Sequence, residues 1–374
     1  MSLVTRADLM RDSISDPSSL VVTLVRERMR DPDRPMPPAP RPRATFSEVA
    51  AIERWMDALM PARAPGEQCS AGAAGAGGAA PQPCTPNVTL APPSPWAMPT
   101  ETDDIYVCYG VEVPGTDQKR HVTGIVPTID DARIVHHLLV FESDKPEPAT
   151  PHKCKQLFPV NWKAIYAWGP GAPPYQLPAA AGFPLPAGGD SHLVVQVHYS
   201  NLPHEAGHKD ATSVGLCVTD KLREYDADIL WVGGFDFLIP PHSTATVSCK
   251  LKLDQSSANV LPIQVFQAWP HMHQLGRKLT STVQRPDGST APLGTADPYV
   301  FGDQVTYPVD ATLALGDTIE TRCTWKNDGA ESVSWGEATS EEMCFNLLAY
   351  YPKIPLPQFN GPATSYLSTC TMQK

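Results

Sequence analysis

A chain of 374 residues and 40.5 kDa has room for two domains of ordinary size, each with its own apolar core. Its formal net charge of -11 and isoelectric point near 5.4 exclude the basic face that a nucleic-acid partner demands. No apolar run approaches the roughly 18 residues of a membrane-crossing helix, so no span is expected.

Residues 1–62 read as short helices. "SLVVTLVRERM" and "TFSEVAAIERWMDALM" carry apolar residues at helical spacing, and Thr45 with Glu48 three positions on makes a capping pair. The opening "MSLVTRADLMRDS" lacks the charged-then-apolar layout of an export signal, which implies either a cytosolic chain or one whose natural start lies upstream. Residues 63–83, "RAPGEQCSAGAAGAGGAAPQP", form a flexible small-residue linker that cannot bury a core.

From Cys84 onward the pattern changes. Short apolar runs cut by Gly, Pro, Asp and Asn recur: "DIYVCYGVEV", "IVHHLLVFES", "SHLVVQVHYS", "ILWVGGFDFLI", "IQVFQAWPHMH", "KLTSTVQR" and "FNLLAYYP". This is the signature of antiparallel strands. The fold class expected is all-β: two antiparallel, jelly-roll-like β-sandwiches over 84–217 and 218–374, preceded by the helical segment.

Nine cysteines, at 69, 84, 108, 154, 217, 249, 323, 344 and 370, form no C-x-x-C pair, which argues against a zinc ribbon or a thioredoxin-like centre. Scattered through a β-rich chain, they suggest long-range disulfides and an oxidising compartment, with one left over; buried free thiols are the alternative. Five of the 11 histidines sit in strand-like runs: His136 and His137, His198, and His271 with His273. His271 and His273 share a strand face and can converge on one ion. His136 and His137 are adjacent, so one ion takes both only where the strand ends or bulges. His198 also fits an ordinary core or surface position. The other six, at 121, 152, 192, 204, 208 and 242, lie in polar or proline-rich surroundings and read as surface residues.

"ARIVHHLLVFE", "IYAWGPGAPPYQLPAAAGFPL", "LVVQVHYSN", "VFQAWPHMHQLGRKL", "ALGDTIETRC" and "SEEMCFNLLAYYP" resemble, in order, successive blocks of the copper type II, ascorbate-dependent monooxygenases, over about residues 84–374. The resemblance implies two copper ions, one per sandwich, facing each other across a solvent-filled cleft. His136, His137 and His198 would hold the copper that stores an electron. His271, His273 and Met343 would hold the copper where dioxygen meets a small-molecule substrate. A thioether ligand suits Cu(I) and would be odd for zinc. The resemblance further implies cysteine pairs Cys84–Cys217, Cys108–Cys154, Cys249–Cys370 and Cys323–Cys344, leaving Cys69 unpaired.

Substrate positions depart from the peptidylglycine branch, which places an arginine two residues before H-x-H and an asparagine and a tyrosine after M-C. Trp269, Phe345 and Leu347 stand there, implying an apolar or aromatic pocket. Tyr106 is expected near the cleft and Gln196 on the electron path. "MPPAPRPRATFSEVAAIERWMDALMP" resembles the C-terminal part of a c-type cytochrome with Met36 as axial haem ligand, yet no C-x-x-C-H is present to attach haem. An upstream portion carrying that motif and an export signal is therefore expected, in a periplasmic or secreted protein whose electron donor is ascorbate or a cytochrome. Two other readings stand beside these: a copper protein that only transfers electrons, and an inactive homologue. A thiolate at Cys344 would mark the former, because blue-copper sites use one.

Overall fold

In the computed structural model the chain divides into two compact units, Met1–Ala80 and Pro81–Lys374. The structure describes residues 84–373 except 155–160, 170–171, 173, 202, 254–260, 302–303, 305, 337 and 355–367, and in the first unit only four helical positions, Thr23, Val25, Arg26 and Met29. Met36, Cys69, the linker and the rest of the expected helical segment lie outside the described residues.

In the second unit, a sheet of six strands runs in the order Val88–Leu90, Ser213–Thr219, Arg120–Thr128, Ala181–Leu185, Tyr225–Asp226, with Tyr175–Gln176 added on Arg120–Thr128. It packs on a five-stranded sheet ordered His152–Lys153, Asp104–Val113, Ser191–Ser200, Val135–Ser143, Trp162–Trp168. Val122, Ile125, Phe183 and Leu216 from one sheet and Val107, Val140, Val195 and Val197 from the other close this core.

The second sandwich pairs a four-stranded sheet, ordered Asp228–Gly233, Phe345–Tyr351, Ile263–His271, Tyr307–Leu313, with a five-stranded one, ordered Thr290–Ala296, Gly276–Gln284, Thr318–Asn327, Ser243–Lys252, Thr369–Gln373. Val232, Val265, Leu348 and Val283 fill its core.

The sandwiches meet sheet to sheet. Leu139, Phe141, Ala164 and Val194 from the first meet Trp231, Trp269, Phe345 and Leu347 from the second in a third apolar cluster. Strands between two apolar layers read as unbroken hydrophobic runs, and "VVQVHY" is one: Val195 and Val197 face the first core while Val194 faces the partner sandwich. At the margin of this contact Lys163 of the first sandwich and Asp228 of the second form a largely buried ion pair at 2.8 Å.

All four disulfides that the resemblance implied are formed: Cys84–Cys217, Cys108–Cys154, Cys249–Cys370 and Cys323–Cys344. Two of the histidines expected at the surface are instead buried. His121 is 1% exposed and 2.9 Å from Asp226, while His208 sits between Asp131 at 2.7 Å and Glu205 at 3.1 Å. Polar sequence surroundings misled here, because the carboxylates that satisfy these rings come from elsewhere in the chain.

Candidate metal centre

A bulge solves the problem of the adjacent histidines. In the ladder between Val135–Ser143 and Ser191–Ser200, His137 pairs with His198 and Val135 with Tyr199, so His136 is an extra residue. A bulge re-aims the side chain it carries, and here both rings of the pair point to one place. His136 Nδ1 lies 3.1 Å from His137 Nδ1, which lies 3.3 Å from His198 Nδ1. Ligand atoms of the three residues all fall within 4.8 Å of one another.

The far side of His198 is fixed. Its Nε2 is 2.8 Å from Asp104 Oδ1, and Tyr106 stacks on its ring at 4.4 Å and 9°. With Nε2–H donated to the carboxylate, Nδ1 carries a lone pair. Burial holds His136 and His137 neutral: the first falls to about 4 and the second lies well below the usual histidine value. Nitrogen lone pairs converging with too few protons to share fit a bound metal ion.

A second bulge sets the other group. The register slips between Val265 and Gln267, leaving Phe266 unpaired, so core-facing parity moves from Ile263 and Val265 to Ala268. Trp269 and His271 thereby face the other sandwich, and a one-residue slip does this to every later side chain of a strand. The strand ends at His271, and His273 lies in the turn beyond, its ring 5.3 Å from that of His271.

Acceptors occupy both Nδ1 positions: Gln304 Oε1 at 2.7 Å from His271 and the Glu341 carbonyl at 3.0 Å from His273. Each ring therefore carries its proton on Nδ1 and keeps Nε2 for a metal. Burial lowers His271 to about 3 and His273 to about 4.

Met343 is fully buried, beside the disulfide of Cys344. The joint between it and the histidine turn is Glu342, whose carboxylate accepts from the N–H groups of His273, Leu275 and Met343 and from Trp325 Nε1, at 2.6–3.2 Å. Burial pushes this carboxyl up to about 7 even so.

The expected solvent-filled cleft is not what the structure contains. His137 and His271 meet edge to face with ring centres 5.7 Å apart, both at most 3% exposed, and Phe301 of the second sandwich stacks on His136 at 4.4 Å. The apolar faces that pack the sandwiches together bring the two groups into contact.

Trp269 and Leu347 are register partners and together line a small, half-open recess of about 20 Å³ with Tyr166, Ile229, Thr306 and Ala349. Phe345 pairs with His271 and packs edge-on against Trp231 in the apolar layer, outside that lining. Tyr106 is not at the recess; it covers His198. Gln196 is buried on the metal-facing side of its strand, with Nε2 3.7 and 3.8 Å from the sulfurs of Cys108 and Cys154.

Sequence reasoning missed Asp104, Phe301, Gln304 and Glu342. Two of them left a trace: Asp104 lies two before Tyr106 and so shares its face, and Glu342 precedes Met343. A lone glutamine and phenylalanine in a loop leave none.

Residues 94–206 match the N-terminal domain and residues 225–368 the C-terminal domain of the copper type II ascorbate-dependent monooxygenases, together well over half of the chain. The protein belongs to that family. It is 29% identical over 267 residues to rat peptidylglycine alpha-amidating monooxygenase, covering 69% of this chain and 26% of that protein. To rat dopamine beta-hydroxylase it is 28% identical over 284 residues, covering 70% and 46%, and to human DBH-like monooxygenase protein 1 it is 28% identical over 278, covering 68% and 45%. The chain thus spans between a quarter and a half of the length of these relatives.

Proposed function

We propose that this chain is a copper-dependent monooxygenase that inserts one atom of dioxygen into a C–H bond of a small aromatic or apolar substrate, consuming two electrons and two protons and releasing water. The observation that carries this reading is a cluster of three imidazoles, His136, His137 and His198, in ring contact with the His271 and His273 pair. Bound copper would supply one-electron chemistry at the first set and dioxygen activation at the second.

The protein's part is positional. His136, His137 and His198 form a nitrogen-only site, and Met343 gives the second set the soft donor that favours the reduced ion. Gln304 and Glu341 hold the second pair of rings with Nε2 free. The contact of His137 with His271, both buried, keeps water from the path between the sets. Gln196, on the same strand face as His198, belongs to that path in this reading.

An apolar substrate is favoured by the recess. Trp269, Leu347, Ile229 and Ala349 offer no cation to a carboxylate there. The four disulfides support an oxidising compartment, periplasmic or extracellular. Ascorbate or a cytochrome is the proposed donor, and the division at residue 217/218 is kept as the domain boundary, although Tyr225–Asp226 pairs back onto Ala181–Gly182.

Electron transfer without oxygen chemistry is the second reading. The disulfide at Cys344 removes the thiolate a blue-copper site needs. An inactive homologue is the remaining alternative.

Dioxygen consumption by copper-loaded protein with ascorbate, across phenethylamines, small aromatics and acyl-glycines, tests the proposal beside Met343→Ile and His271→Ala. Hydroxylated product from the wild type alone, coupled to dioxygen uptake, is expected. Two coppers bound with no product under any donor would favour the electron-transfer or inactive readings.

A further inference from the structure

Among the described residues, Asp104 is the one carboxylate bonded to a ligand imidazole ring of either set. The rings of His271 and His273 hydrogen-bond to an amide and a peptide carbonyl, which are neutral. This difference has a direction. A negative charge accepting Nε2–H makes the opposite nitrogen a stronger donor and opposes the charge of a metal held there, which stabilises a divalent ion over a monovalent one. A neutral acceptor does so far less, and a thioether leans the other way.

Resting on the copper reading proposed above, we infer that Asp104 is a positioning residue acting through His198, which biases the first set toward Cu(II) and so makes electron flow from the first set to the second downhill. Several features hold the device in place. Asp104 and His198 lie on neighbouring strands, with His198 opposite Tyr106 and Asp104 opposite Ser200, so the two side chains share one sheet face. Tyr106 clamps the His198 ring flat, leaving the 2.8 Å bond little freedom. The Asp104 side chain is 29% exposed, so solvent helps it keep its charge while the ring it holds is buried.

The test uses the whole chain carrying His271→Ala, which disables the second set and leaves the first to be read alone. Cu(II) and Cu(I) affinities are measured separately by chelator competition for Asp104, Asp104→Asn and Asp104→Glu. Asp104→Asn is expected to weaken Cu(II) about tenfold while leaving Cu(I) nearly unchanged, and Asp104→Glu to recover much of the loss. Equal losses for both oxidation states would mean a merely structural role and overturn the inference, as would no loss for either. If the chain with Asp104 intact takes up no copper at His136, His137 and His198, the metal reading falls together with the inference. Urea midpoints of the three proteins separate these results from misfolding.

Discussion

The two proposed donor sets are built by different means. The first lies on two adjacent central strands of a sheet, near their ends but within the hydrogen-bonded ladder: its three histidines have apolar layers on both faces, and one bulge supplies the unusual geometry. The second lies where strands end. His271 closes one strand, His273 follows in a turn, and Met343 precedes the strand Phe345–Tyr351, so Glu342, Gln304 and the Cys323–Cys344 bridge must fix what the ladder does not. A sheet interior gives rigidity through packing, whereas a loop site needs dedicated polar ties. The second set should therefore be the more fragile.

The sharpest way to break this contrast is Glu342→Ala. It leaves four N–H groups without their acceptor, and a buried unpaired donor costs about 1–3 kcal/mol. We expect a loss of about 4 kcal/mol or more in urea unfolding, and copper per chain falling from two to one with the histidine-only set retained. Loss of both metals would show that the sets are not independent. Next in size, Cys323→Ser with Cys344→Ser opens a bridge of sequence separation 21 and should cost about 3 kcal/mol in the chain-entropy picture. The second metal should again leave first, read by EPR of the Cu(II) protein.

This asymmetry also governs what the sequence disclosed. Strand existence and the all-β class were legible because alternation between turn residues is a local pattern. His136 and His137 are brought to one place by a bulge, and that depends on register with a strand some sixty residues away, which no local pattern reveals. The contact between the sets was likewise hidden. Unbroken runs such as "LLVF" and "LLAYY" belong to strands buried on both faces, but read as strands alone they do not say that each sandwich covers the other. Gln304 and His208 are placed by long-range pairing alone.

Gln304→Ala is a milder test of the second set. His271 loses its Nδ1 acceptor while Trp269, bonded to the Gln304 backbone carbonyl, keeps its own. Metal affinity at the second set should drop about 10- to 100-fold, with the first set unchanged in the same chelator titration.

Away from both sets, Asp131 anchors the loop leading into the histidine-pair strand. The guanidinium of Arg133 and the ring of His208 hold its carboxyl well below the usual carboxylate range. A depressed value contributes stability that is present above the ordinary carboxylate pKa and is lost as pH falls below about 4. Urea midpoints between pH 6 and 3 should therefore fall more steeply for the wild type than for Asp131→Asn, by about 1 kcal/mol over the window. Parallel curves would show that Asp131 is not felt in the fold.

The smallest effect is expected at the recess, and its sign is the informative part. Tyr166 is 4% exposed, and its hydroxyl is buried with no hydrogen-bond partner among the described residues. An orphaned hydroxyl costs stability, so Tyr166→Phe should stabilise the free protein by about 1 kcal/mol. Proteins keep such a cost where a ligand repays it. If the recess receives the substrate, the same variant should raise KM severalfold for ring substrates with a hydrogen-bonding substituent and leave those without one unchanged. A stabilised variant with an unaltered KM profile would make the hydroxyl a packing defect and move the substrate elsewhere along the Trp269 wall.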